Sequence, residues 1–118
     1  MLTFPKSARL SGDKLFGLLL SEGKRKSFTG GEIFRRENGL PDARFGIRIS
    51  SKTGKAFLRI GLRRRVREMV RKNQTLFQPG FDYLIIIRNK NVFPQMPDEK
   101  MPGYLFSLFG PDVLQQVS

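Results

Sequence analysis

The stretch from Ser50 to Lys72, SSKTGKAFLRIGLRRRVREMVRK, constrains the fold most, because it carries two periodicities that a helix satisfies together. Leu58, Leu62, Val66, Met69 and Val70 recur at spacings of three and four, which places them on one side of a helix and asks for a core to cover them. Lys55, Arg59, Arg63, Arg67 and Arg71 follow at intervals of four, and Arg64 and Arg65 widen the band. A step of four residues runs slightly past one turn, so these cations form a ridge that winds slowly over the exposed surface. Like charges so spaced repel by roughly 0.2–0.5 kcal/mol per pair in an isolated helix, and Glu68 is the one acid among them. An anionic partner accounts for such a helix better than self-stabilisation, and guanidinium forks grip phosphate oxygens in bidentate fashion. A merely solvated basic face is the commoner meaning of a charge run. The density of arginine and the scarcity of acids weigh against it here.

The composition points the same way. The 118 residues allow one domain with a real core and leave no room for two, so residues 1–118 read as a single domain. Against 10 acidic residues stand 22 basic ones, a formal charge of +12, with a pI near 11.0. Such a field attracts polyanions and gives salt-dependent binding through counterion release, so nucleic acid is the first partner to consider. An anionic membrane is the second, but no run reaches the ~18 apolar residues of a span. The N-terminal MLTFPKSARLSGDKLF lacks the apolar stretch and cleavage site of a signal peptide. The expectation is a soluble cytoplasmic protein.

Catalytic equipment is sparse. Zero cysteine removes disulfides, thiolate nucleophiles and zinc-thiolate sites, and zero histidine removes the commonest general base and a leading metal ligand. The carboxylates are scattered. Asp98-Glu99 is the only adjacent pair, and beside Pro94, Pro97 and Pro102 it reads as a loop or a helix start. No catalytic residue and no metal ligand is therefore expected of the protein itself. The turn Lys52-Thr53-Gly54-Lys55 lacks the second glycine and the Ser or Thr of a phosphate-binding loop, so NTP hydrolysis is not supported. Eleven Phe and two Tyr supply aromatic surface, some for the core and some for stacking on bases.

Along the chain, Ser11 or Asp13 is placed to cap a helix through about Ser21, which Gly23 ends. Leu15, Phe16, Leu18, Leu19 and Leu20 are too many apolar residues for one stripe, so the helix is largely covered or offers an apolar side to something else. Gly17 inside it hints at a close backbone neighbour. Lys24, Arg25 and Lys26 form a basic patch, and Glu32 to Arg36 is a short strand. ENGLPD, residues 37–42, reads as a hairpin-like connection. From Arg44 to Ser50, Phe45, Ile47 and Ile49 point one way while Arg44, Gly46, Arg48 and Ser50 point the other. The basic helix fades by Asn73, and Pro79-Gly80 marks a turn. Phe81 to Arg88, FDYLIIIR, reads as an inner strand buried on both faces. Tyr104 to Phe109 suits a short terminal helix. This order predicts an α+β sandwich, helices packed against a small sheet.

These blocks, in this order, resemble the protein subunit of bacterial ribonuclease P. Members carry a Gly-x-x-x-Ser-x-Lys strand end, a Gly-Asn/Lys-Ala turn, and a helix with Arg-Asn-Arg, a Lys-Arg pair and Arg-Glu. Here the corresponding residues are Gly46, Ser50, Lys52, Gly54-Lys55-Ala56, Arg59-Ile60-Gly61, Arg63-Arg64 and Arg67-Glu68. Arg9-Leu10, Phe16, Gly23 and the strand Asp82 to Arg88 extend the match. Ile60-Gly61 departs from the family's Asn-Arg, Arg65 from a neutral residue, and Leu20 from an aromatic. The resemblance implies a single-domain α/β sandwich with a left-handed βαβ crossover. It also implies that hydrolysis belongs to a large RNA with bound Mg2+, and that the holoenzyme removes the 5′ leader from precursor tRNA. Carried over by position, Lys52, Lys55, Arg59, Arg63, Arg64 and Arg67 are candidates for contacts with ribonuclease P RNA. Phe16, Leu20, Arg44 and Arg48 are candidates for a cleft that receives the leader. A non-catalytic RNA-binding or ribosome-associated protein of the same fold is the alternative, kept alive by Ile60-Gly61. A cationic membrane-surface protein is a third reading, disfavoured by the inner strand. Oligomeric state is left open.

Overall fold

A computed structural model describes residues 12–114. In chain order the elements are α1 (Asp13–Glu22), β1 (Lys24–Phe28), β2 (Gly31–Glu37), β3 (Arg44–Ile49), α2 (Ala56–Lys72), β4 (Phe81–Ile87) and α3 (Met101–Phe109). Single 3₁₀ turns lie at Ser51–Thr53, Gln74–Leu76 and Asp98–Lys100. The strands form one sheet in the order β1-β2-β4-β3. β4 runs antiparallel to β2 and parallel to β3, so α2 is the crossover of a βαβ unit. The continuous apolar run of β4 thus occupies an inner position, with Tyr83, Leu84, Ile85 and Ile87 all at 0 % exposure.

Because strand side chains alternate, the sheet has two faces with different covers. On one, Ile33, Ile85, Ile87, Phe45 and Ile49 meet Leu62, Val66, Met69 and Val70 of α2, and Leu105 and Phe109 of α3 complete this main core. On the other, Phe34, Leu84 and Ile86 are covered by Leu19 of α1, with Leu15 and Phe16 packed at the margin.

Several expectations need correction. The basic patch at Lys24 to Lys26 belongs to a strand: β1 pairs with β2 across a tight turn where Gly30 adopts φ +95°. Its charged side chains discourage further strands from adding to that edge. The connection after β2 does not join paired strands, because β4 lies between β2 and β3. Asn38 ties this loop to the β4 side, its N–H donating to the Gly80 carbonyl and its side-chain amide to Asp82. Leu58 was expected in the core, yet it is 42 % exposed, because the first turn of α2 overhangs the sheet. Gly17 has no close neighbour within 4 Å of where a Cβ would stand. Gly23 does end α1, its N–H donating to the Leu19 carbonyl. Ser11 lies outside the described residues, and Gly12 holds the N-cap position without a side-chain cap. α3 begins at Met101, three residues before the expected Tyr104, with Pro102 in its first turn where a missing N–H costs nothing.

Candidate nucleic-acid interface

The helical spacing puts the cations of α2 on its outer side, and the structure divides them by what they touch. Arg71 donates to Glu68, which holds the Glu68 carboxyl below the usual carboxylate range. Lys72 reaches Asp98 at 3.1 Å. Arg63 donates through Nη1 to the Ile47 carbonyl at 2.9 Å, on the free edge of β3. That bond satisfies an acceptor which an edge strand leaves open. Lys52, Lys55, Arg59, Arg64 and Arg67 have no ion pair among the described residues. Arg59 goes further: its Nε is shielded from solvent and has no hydrogen-bond partner there. A buried donor left unsatisfied costs ~1–3 kcal/mol.

A second surface lies on the opposite face of the sheet. Register aligns Glu32, Ile86 and Arg48 in one row, Phe34, Leu84 and Gly46 in the next, and Arg36, Asp82 and Arg44 in the third. α1 covers the first two columns but not the β3 column. At this margin between α1 and β3, the candidate cleft, Gly46 is buried, Phe16 and the 41 % exposed Leu20 stand on the helix side, and Arg48 is exposed at the rim. The Arg48 guanidinium lies over the Phe16 ring at 5.2 Å, a cation–π contact that holds both side chains at the cleft.

Arg44, expected to line the same cleft, is engaged inside the fold. Its Nε and Nη2 each donate to a different oxygen of Asp82 at 2.8 Å, and Asp82 is only 4 % exposed. Donating these hydrogen bonds to Asp82 raises the Arg44 pKa against the opposing effect of burial. Asn38 donates to the same carboxylate at 2.9 Å. The two surfaces meet at β3: Ile47 receives Arg63 from the ridge, and its neighbour Arg48 turns toward the cleft.

Sequence reasoning passed over Phe57 and read Ile60 only as a departure from the family pattern; they are 68 % and 54 % exposed on the first turns of α2. The signal was present, since Phe57, Ile60 and Arg64 follow at three and four residues and so share the cationic side. The acids do not converge. Glu22, Glu32, Glu68, Asp82, Asp98 and Asp112 each face a cation, and among the described residues no three acids assemble to hold a metal ion.

Fold and surface thus define a small, strongly basic α+β sandwich that presents cations on α2 and an arginine–aromatic pair between α1 and β3. A family model described as Ribonuclease P matches residues 4–102. The ribonuclease P protein component of Thermotoga maritima is 38% identical over 88 residues, 75% of each chain. The solved T. maritima RNase P protein superposes with a TM-score of 0.71 at 32% identity, covering 86% of this chain and 94% of that one. The Staphylococcus aureus RNase P protein shares the fold with a TM-score of 0.70 at 22% identity, over 87% of this chain and 93% of its own. The chain belongs to the ribonuclease P protein family, and is a protein component of that endoribonuclease. No helix among the described residues is long and apolar enough to cross a membrane.

Proposed function

We propose that this protein binds the catalytic RNA of ribonuclease P through the α2 ridge and the 5′ leader of precursor tRNA in the cleft between α1 and β3. The observation that carries the reading is the pairing of two surfaces across one sheet: on one side Lys52, Lys55, Arg59, Arg64 and Arg67, with no ion pair among the described residues, and on the other Phe16 with the Arg48 guanidinium over its ring. Phosphates of a folded RNA match the ridge, where guanidinium forks give directional contacts. A single strand suits the cleft, because an aromatic face and a cation serve any base and its backbone. Glu68 beside the ridge and Glu32 in the row of Arg48 are each held by ion pairs, which supports assigning hydrolysis to the RNA subunit and its Mg2+. The role of the protein is then to hold the substrate and neutralise charge where the two RNAs approach each other.

The test is binding of precursor tRNA to the reconstituted complex, with and without a leader. Phe16→Ala should weaken the leader-bearing substrate by ~1–3 kcal/mol and leave mature tRNA unchanged. Equal weakening of both, or of neither, would remove the cleft from leader recognition. Ile60-Gly61 favours the second reading, an RNA-binding protein without a role in tRNA processing, because two polar contacts of the family pattern are missing there. That reading predicts RNA binding without any stimulation of cleavage.

A further inference from the structure

The overhanging first turns of α2 carry an apolar surface that the core does not need. Phe57, Leu58 and Ile60 are 68 %, 42 % and 54 % exposed, on a chain with a formal charge of +12. Beside them, between α2 and the residues after β4, lies a groove of about 340 Å³ lined by Phe57, Leu58, Gly61, Leu62, Arg65 and Lys90. That volume is at the small end of ligand pockets (~300–1,000 Å³). Gly61 keeps it open, since nothing lies within 4 Å of where its Cβ would stand. The glycine costs roughly 1 kcal/mol in mid-helix, and no contact among the described residues repays it.

We infer that this groove receives one unstacked nucleobase of the RNA that the α2 ridge binds; the inference rests on the RNA-binding reading above. A nucleobase is an apolar plate joined to an anionic phosphate, and the site offers the same combination in complement. The Phe57 ring and the aliphatic wall of Leu58 and Leu62 meet the plate, while Lys90 and Arg65 stand at the rim for its phosphate. Arg64, two turns beyond Phe57 on the same side of the helix, continues the cationic surface beside the groove. A second copy of the chain is the less fitting occupant. It would bring two such cation clusters together, and like charges at close range oppose association.

The chain contains no tryptophan, so Phe57→Trp provides a single reporter at the groove. Titration with the ribonuclease P RNA encoded by the same genome is expected to quench its fluorescence as the indole stacks on a base. Phe57→Ala is expected to weaken RNA binding about 5- to 150-fold at fixed salt, the fold-change that corresponds to stacking of one base. Its slope of log affinity against log salt should match the wild type, whereas Arg64→Ala should lower that slope by about 1. Because Phe57 is exposed, both variants should melt with the wild type. RNA binding by the wild type, with no quenching and no loss in Phe57→Ala, would overturn the inference and leave the RNA-binding reading standing. No RNA binding by the wild type would bring down both. An emission shift on raising protein concentration, with a doubled mass and no RNA present, would assign the patch to a second copy; a shift on anionic vesicles alone would assign it to a membrane surface. Either result would overturn the nucleobase.

Discussion

Two arginines that look alike in the sequence do opposite work. Arg44 neutralises a carboxylate that is almost fully buried, so Arg44→Ala leaves Asp82 with Asn38 as its remaining side-chain partner. Breaking such a pair costs ~3–5 kcal/mol, a shift that chemical denaturation would show directly, and one that the double variant with Asp82→Ala should partly restore. Arg64, exposed and without an ion pair among the described residues, should change stability by no more than about 0.5 kcal/mol when replaced by alanine. Tyr83 contributes to the alkaline limit. Burial raises its pKa first of all, and its hydroxyl accepts from the Gln78 N–H and donates to the Val113 carbonyl. A raised folded pKa means that its contribution is complete below the unfolded value of ~10 and is lost as pH climbs from there through the folded value. Tyr83→Phe should lose about 1 kcal/mol at neutral pH and show a shallower decline above pH ~10 in alkaline denaturation.

At the level of elements, α1 carries a cost that serves no packing. Gly17 is exposed, has a clear space around it, and sits inside the helix, so Gly17→Ala should stabilise the protein by about 1 kcal/mol in thermal melting. The sequence shows a glycine at that point; only the structure shows that no backbone approaches it. Elements governed by their own periodicity were legible in the same way. The steps of four in α2, the alternation in β3 and the apolar run in β4 each specify an element without help from the rest of the chain. β1 was hidden, because KRKSF has no strand-like alternation of apolar residues and owes its extension to pairing with β2. Sheet order was hidden too. β2 and β3 are sequence neighbours, and only the long return through α2 inserts β4 between them. The candidate site was legible as a set of residue types at a given spacing, but not as a set of free groups. That Arg63 caps the edge of β3 and Arg44 serves Asp82 depends on which strands become neighbours.

For the whole molecule, the proposed function puts one binding surface on each side of the sheet, with β3 at its rim. α2 looks away from one face, the α1 cleft opens on the other, and Arg63 and Arg48 mark where they meet. A molecule of this charge and shape suits a place between two RNAs, the catalytic subunit against the ridge and the leader against the cleft. Salt should weaken its binding steeply, with a slope near −0.7 to −0.9 per phosphate neutralised, and alanine at Arg59, Arg64 and Arg67 should reduce that slope stepwise. The most direct measurement is single-turnover cleavage of a precursor tRNA by the ribonuclease P RNA of the same genome at low magnesium, with and without this protein. The account predicts that a mature 5′ end appears at an appreciable rate only when both are present, and that the protein alone cleaves nothing. RNA binding without any stimulation across magnesium and salt would contradict it.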